Sequence, residues 1–78
     1  MSIAKHEREM AARGEGCLGK AADDEPVFIL RGQDRLSGAL VYLWAECAER
    51  GGTDKAKVEE ARELARAMIA WQTRKWPD

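Results

Sequence analysis

Two arginines that flank an amide and a carboxylate form the strongest candidate binding set in this sequence. These residues are Arg31, Gln33, Asp34 and Arg35. Guanidinium groups bind phosphates or carboxylates through paired hydrogen bonds, and Asp or Gln side chains bond to a ribose or a base edge. On a helix, Arg31 and Arg35 would share one face because they are four residues apart. The alternative is that these arginines only pair with nearby carboxylates, such as Asp24 or Asp34.

A glycine-rich stretch with one lysine lies upstream of this set. Residues 14–21 fit the phosphate-loop pattern G-x-x-x-x-G-K, but Ala21 replaces the required Ser or Thr and no strand precedes the stretch. The chain is also too short for the parallel sheet that carries the motif, so we do not expect an NTPase. A glycine-rich loop can still direct backbone N–H groups at an anion beside Lys20. The alternative is a flexible connector.

Three tryptophans add aromatic surface to a small chain: Trp44, Trp71 and Trp76. An aromatic ring can stack on a nucleic base, or it can pack in a core or an interface. Trp76 fits a core role least, because the predicted last helix is ending there. We include Trp44 in the candidate ligand site.

The sequence offers no pattern typical of catalysis or of a metal site. His6 is the only histidine, and Cys17 and Cys47 do not form a C-x-x-C pair. One chain therefore does not supply a zinc site, which leaves only a site shared between subunits. We expect no catalytic residue, no metal and no cofactor. Free thiols are expected in a reducing compartment, with one disulfide as the alternative.

Two stretches in the second half repeat apolar residues at helical spacing. The first contains Leu36, Leu40, Leu43, Trp44 and Cys47, and the second contains Val58, Ala61, Ala65, Met68 and Trp71. We predict helices over about 37–50 and 54–76, capped by Ser37 and Thr53 and separated by Gly51-Gly52. A loop this short makes the two helices antiparallel, as in an αα-hairpin.

The segment before this hairpin is ambiguous. Val27 to Leu30 fit a short buried strand, whereas Pro26 after three acidic residues favours the start of a helix. Because no second β-rich run exists, we predict a short helix over 26–36, with a strand paired across a dimer as the alternative. Gly32 would weaken that helix, which indicates a close approach there. A further helix is predicted over 2–13, ending at Gly14.

Length and composition indicate one small helical domain, with an arm over 1–25 and a core over 26–76. The chain has 78 residues, and 45% are hydrophobic, but 13 of these are alanines. Such a thin core favours a homo-oligomer, formed through Val27 to Leu30 and the broad face of the last helix. The net charge of −1 argues against nucleic-acid binding. We find no run typical of a signal peptide or a membrane span, so we expect a cytoplasmic protein.

One block of the sequence resembles a known family. It consists of residues 16–21 (GCLGKA), residues 24–34 (DEPVFILRGQD) and the pair Trp44-Ala45. The block is similar to a family of small proteins of tailed bacteriophages and prophages, and the similarity covers about residues 15–48. The resemblance implies a counter-defence role in the host bacterial cytoplasm, through binding of a host protein or sequestration of a nucleotide immune signal. It carries over to Cys17, Lys20, Arg31, Gln33, Asp34 and Trp44.

These observations favour an all-α, non-catalytic protein that sequesters a nucleotide-type signalling molecule. Arginine and lysine would hold the phosphates, Gln33 and Asp34 would contact the ribose or base, and a tryptophan would stack on it. The candidate ligand-binding residues are Lys20, Arg31, Gln33, Asp34, Arg35 and Trp44. The alternative is a protein–protein inhibitor of a host factor, either anti-CRISPR-like or a transcriptional modulator.

Overall fold

The computed structural model describes residues 2–76, and all of their regular elements are helices. The elements are α1 (Ala4–Ala12), α2 (Gly16–Lys20), α3 (Ser37–Arg50) and α4 (Lys55–Ile69). Within these residues the only strand-like pairing is an isolated bridge between Asp34 and Lys75. The predicted all-α class is confirmed.

Helices α3 and α4 form the predicted antiparallel hairpin. Gly52 adopts a left-handed conformation with φ of +85°, which a glycine tolerates and which ends the first helix of the pair. The backbone N–H of Thr53 then donates to the carbonyl of Ala48 at 2.9 Å and closes the turn. The predicted cap at Thr53 is wrong. Helix α4 begins one residue later than predicted, and its N-cap is Asp54, without a side-chain cap bond.

The interface between α3 and α4 is made of small side chains. Ala45, Val58, Ala61 and Ala65 are the buried apolar residues of this interface. Gly38 allows the closest approach, because a Cβ there would collide with Ile69 and would lie 3.2 Å from the Ala65 carbonyl oxygen. Small residues let the two helices approach closely, and they bury little apolar area per residue.

On α3, Leu40, Leu43 and Trp44 are exposed, whereas Val41 packs against the buried core. The predicted stripe of Leu36, Leu40, Leu43, Trp44 and Cys47 is exposed along its whole length. Helix α3 has apolar residues on almost every side, so its periodicity alone does not show which side packs on α4. The side that packs on α4 is the one with small residues, such as Gly38 and Ala45.

The predicted helix over 26–36 is wrong. Residues 25–31 have no regular structure, and a turn follows in which the N–H of Asp34 donates to the carbonyl of Arg31 at 3.0 Å. The bond from the N–H of Leu36 to Oδ1 of Asp34 competes with a helix, and the carbonyl of Gln33 accepts from the N–H of Lys75, outside this segment. Without this helix, Arg31 and Arg35 do not share a helical face.

Helix α4 is also shorter than predicted, because it ends at Ile69 and not at residue 76. Residues 70–76 turn back and pair with the turn that precedes α3. This pairing forms two long-range backbone hydrogen bonds, from Lys75 to Gln33 and from Arg35 to Lys75, and they could not form if the helix continued to residue 76.

The N-terminal helices form a pair of their own. Helix α1 confirms the helix predicted over 2–13, and Gly14 and Gly16 follow it with φ of +71° and +72°. The glycine-rich stretch was predicted as a loop, yet it carries the short helix α2, which packs on α1. Among these four helices, neither α1 nor α2 packs against α3 or α4. The radius of gyration is 13.1 Å, larger than the about 11.5 Å typical of a compact chain of this length.

No helix within residues 2–76 has both the length and the apolar character required to cross a membrane.

Candidate functional site at the loop–tail junction

The turn before α3 and the tail after α4 meet at one end of the hairpin, and we call this region the loop–tail junction. It comprises residues 31–36 and 71–76. The N–H of Lys75 donates to the carbonyl of Gln33 at 2.6 Å, and the N–H of Arg35 donates to the carbonyl of Lys75 at 2.9 Å. These two bonds fix the register of the tail against the turn.

Arg74 connects the junction to the end of α4. Its guanidinium donates to the carbonyl of Ile69 at 3.0 Å and to the carbonyl of Arg35 at 3.1 Å. Cations satisfy the free carbonyls at helix C-termini in this way. The Nε of Arg74 is buried and has no hydrogen-bond partner among residues 2–76. Sequence reasoning placed Arg74 inside the helix and missed this role, because Arg35 lies 39 residues away in the chain.

Asp34 has a structural function at the start of α3. Its Oδ1 accepts a hydrogen bond from the N–H of Leu36 at 2.8 Å, and its carbonyl accepts one from the Ser37 hydroxyl at 2.8 Å. Asp34 therefore orders the turn that leads into α3, whereas Ser37, the predicted cap, is the first residue of the helix and Leu36 is its N-cap, without a side-chain cap bond. One carboxylate oxygen of a predicted ligand-binding residue is already engaged by the protein's own backbone.

Two tryptophans frame the junction. A Cβ on Gly32 would lie 3.5 Å from Cγ of Trp71, so the chain does approach the ring there, but at ordinary van der Waals distance. The guanidinium of Arg35 lies 5.8 Å from the ring centroid of Trp76, within the range of a cation–π contact. Both rings remain more than half exposed. They are available for stacking.

The charge of the junction favours anions. Four cationic side chains lie in its two segments against the single carboxylate of Asp34, and they are Arg31, Arg35, Arg74 and Lys75. A pocket of about 300 Å³, lined by residues 70–73, lies beside them. Cations next to exposed aromatic rings can bind a ligand that carries both a phosphate and a base.

The structure brings together four of the six predicted ligand-binding residues. Arg31, Gln33, Asp34 and Arg35 lie in the turn, but Lys20 lies on α2, which packs on α1 and on neither helix of the hairpin. Trp44 lies on α3 in the exposed stripe. Trp71 and Trp76 lie at the junction instead, and the sequence signal for them was that Trp76 fits a core role least.

A second charged cluster stabilises the hairpin away from the junction. Arg62 on α4 donates to Glu46, Glu49 and Glu59 at 2.9–3.2 Å. The hydrogen bonds that Arg62 donates to these carboxylates raise the pKa of its guanidinium, and they lower the pKa of Glu49 from its ordinary 4.5. Every charge in this cluster has a partner, so it is an ion-pair network that joins the two helices.

Cysteine, histidine and carboxylate side chains do not assemble into a metal site in residues 2–76, where no three of them come together. Cys17 and Cys47 are exposed free thiols on different helix pairs. In comparisons with known proteins, the chain matches no family model, no curated protein and no solved structure.

Proposed function

We propose that this protein is a non-catalytic binding protein that sequesters a nucleotide-type ligand at the loop–tail junction. The observation that carries the proposal is the meeting of four cations and two exposed tryptophan rings in two short segments joined by hydrogen bonds. In this arrangement Arg31 and Arg35 hold the phosphates, one tryptophan stacks on the base, and the amide of Gln33 bonds to the ribose or base edge.

The proposal departs from the sequence-based hypothesis in two residues. Lys20 and Trp44 lie outside the junction, so Arg74 or Lys75 supplies the third cation and Trp71 or Trp76 supplies the ring. The resemblance to small phage proteins suggests the biological setting, which is removal of a nucleotide immune signal from an infected bacterial cytoplasm.

Isothermal titration against a panel of cyclic nucleotides and ADP-ribose tests the proposal. We expect heat with at least one member, and we expect Arg31→Ala to weaken that binding about tenfold or more, because a hydrogen bond to a charged group contributes about 1.5–3 kcal/mol. The control is Arg8→Ala, which removes the same charge from α1 and should leave the affinity unchanged. The proposal fails if no member binds at a protein concentration about 100-fold above a micromolar Kd.

A second candidate function is inhibition of a host protein, and the segment before the junction favours it. Val27, Phe28 and Ile29 are exposed in sequence, with Phe28 83% exposed. An exposed apolar segment of this kind can add to a groove or a sheet edge of another protein. Under this function, Phe28→Asp abolishes capture of the host protein from bacterial lysate, whereas Arg31→Ala does not.

A further inference from the structure

Helix α3 exposes an unusually apolar face to solvent. We define the α3 outer stripe as Leu36, Leu40, Leu43, Trp44 and Cys47, all of them exposed. Residues 36–45 contain no charged side chain, although 35% of the chain is charged. Helix α4 differs, since six of its nine exposed positions hold lysine, arginine or glutamate. The exposed side of α3 therefore has the composition of an interface.

The spacing of the stripe matches a helix–helix seam. From Leu36, the next members follow after four, three and four residues, at Leu40, Leu43 and Cys47. This alternation is the spacing at which two helices interdigitate along a shared seam. The stripe is therefore suited to a second helix as its occupant.

The exposed area is sufficient for a specific contact. The exposed parts of the stripe amount to on the order of 400 Å² of apolar surface, within the range of the largest patches on monomers. Burial on two copies removes about 800 Å², and a polar rim of about 200 Å² on each copy brings the total to about 1,200 Å², the lower limit of specific interfaces. Residues 2–76 bury only three alanines and a valine as apolar residues, so the chain would also gain the stability that small domains usually obtain from oligomerisation.

We propose that the α3 outer stripe is the interface of a homodimer, in which α3 packs antiparallel against α3 of a second copy. A stripe that pairs with itself needs no separate matching surface, as in any two-fold interface. The antiparallel arrangement sets Leu40 opposite Cys47 of the second copy. It also brings Arg50 at the end of α3 towards the Asp34 carboxylate at the start of the other α3, whereas a parallel arrangement would place Arg50 against Arg50. The proposal does not rest on ligand binding at the loop–tail junction, although Leu36 and Asp34 belong to the junction as well.

The first test is the mass of the full chain in solution, measured by light scattering at about 100 µM, well above a micromolar Kd. We expect twice the chain mass of 8.7 kDa. Leu43→Glu places a charge at the centre of the stripe, and the variant should be a monomer with an unchanged helical circular dichroism spectrum. Leu18→Glu is the matched control, because Leu18 is 54% exposed and Leu43 is 59% exposed, but Leu18 lies on α2. It should remain a dimer.

The second test is disulfide crosslinking in a Cys17→Ser background, which works on the folded protein. Adding Leu40→Cys should give a covalent dimer under mild oxidation, because the new thiol faces Cys47 of the second copy. Within one helix the two positions are about 10 Å apart, too far for an internal disulfide. The background alone, with only Cys47, should crosslink far more slowly.

Two results would overturn the proposal. A wild-type chain that is monomeric at about 100 µM, or a dimer that Leu43→Glu leaves intact, excludes this stripe as the interface between copies. Equally fast crosslinking of the background without Leu40→Cys excludes the antiparallel arrangement.

Discussion

At the scale of single residues, polar side chains that suggested a binding site in the sequence also form hydrogen bonds with the backbone. The Oδ1 of Asp34 accepts a hydrogen bond from the N–H of Leu36 in the turn before α3, and Arg74 donates to the carbonyl groups of Ile69 and Arg35. These residue types could bind a polar ligand, but their observed hydrogen bonds are within the protein and stabilise the loop–tail junction. Arg31 and Gln33 are different, because their side chains are not needed for those bonds. Substitutions separate the two roles.

Replacing Asp34 by alanine should destabilise the protein. The change removes the bond from the N–H of Leu36 to Oδ1, and loss of one such hydrogen bond costs about 1 kcal/mol. Urea unfolding followed by circular dichroism measures the difference. Asp34→Asn keeps an acceptor oxygen and should restore most of the stability. If alanine and asparagine destabilise equally, this hydrogen bond does not stabilise the turn.

The Arg62 network should make stability depend on pH. The pKa of Glu49 is lowered in the folded state, so its contribution to the free energy of unfolding is complete above pH 4.5 and is lost as the pH falls through the lower folded value. We expect the melting temperature to fall with acidification below about pH 4.5 less steeply in Arg62→Met than in the wild type. Arg66→Met, on the same helix, should keep the wild-type slope. Parallel curves for all three proteins would contradict the assignment.

At the scale of elements, the hairpin depends on the close approach of α3 and α4. Gly38 lies where a side chain would meet Ile69 and the Ala65 carbonyl, and buried alanines continue the contact towards the turn. The Arg62 network links the same two helices on their exposed side. The interhelical distance, more than the amount of apolar area, is therefore the sensitive quantity.

Gly38→Ala should destabilise the hairpin although alanine is the better helix former. The added methyl group overpacks the interface, which costs about 1–3 kcal/mol, and the gain in helix propensity offsets about 1 kcal/mol of this. Gly51→Ala is the matched control, because its φ of −80° suits alanine and a Cβ there would lie 3.5 Å from the nearest atom. Thermal unfolding compares the two. A Gly38→Ala protein as stable as the Gly51→Ala protein would show that the helices separate without cost.

At the scale of the whole molecule, two helix pairs are joined by an extended segment. Neither α1 nor α2 packs on α3 or α4, and residues 22–29 between the pairs are exposed. Stability of the hairpin then comes from its own contacts and from any second copy on the α3 outer stripe. The N-terminal pair contributes little to it.

Deletion of residues 1–21 should therefore leave the hairpin folded. We expect the urea midpoint of the α3–α4 unit, followed by tryptophan fluorescence, to stay within the range of a surface substitution, about 0.5 kcal/mol. All three tryptophans remain in the shortened chain. A large loss of stability or of cooperativity would show that α1 and α2 do support the hairpin.

Local patterns predicted some elements and failed for others, for identifiable reasons. The bounds of α3, the turn at Gly51-Gly52 and the helix near the N-terminus depend on signals a few residues apart. The end of α4 and the absence of a helix over 26–36 depend on pairing between Gln33 and Lys75, which no local signal reveals. The same pairing brings the tail to the turn. The tryptophans of the tail were therefore harder to assign to the candidate site than the arginines of the turn.

The hydrogen bond from Arg74 to the carbonyl of Arg35 spans 39 residues of the chain. Whatever opens the hairpin therefore also separates the two halves of the junction. A compound that needs both halves binds the folded form alone, so occupancy and folding are thermodynamically linked, and a ligand at 100 times its Kd raises the free energy of unfolding by about 2.7 kcal/mol. A rise in melting temperature can thus reveal a ligand before its chemical identity is known.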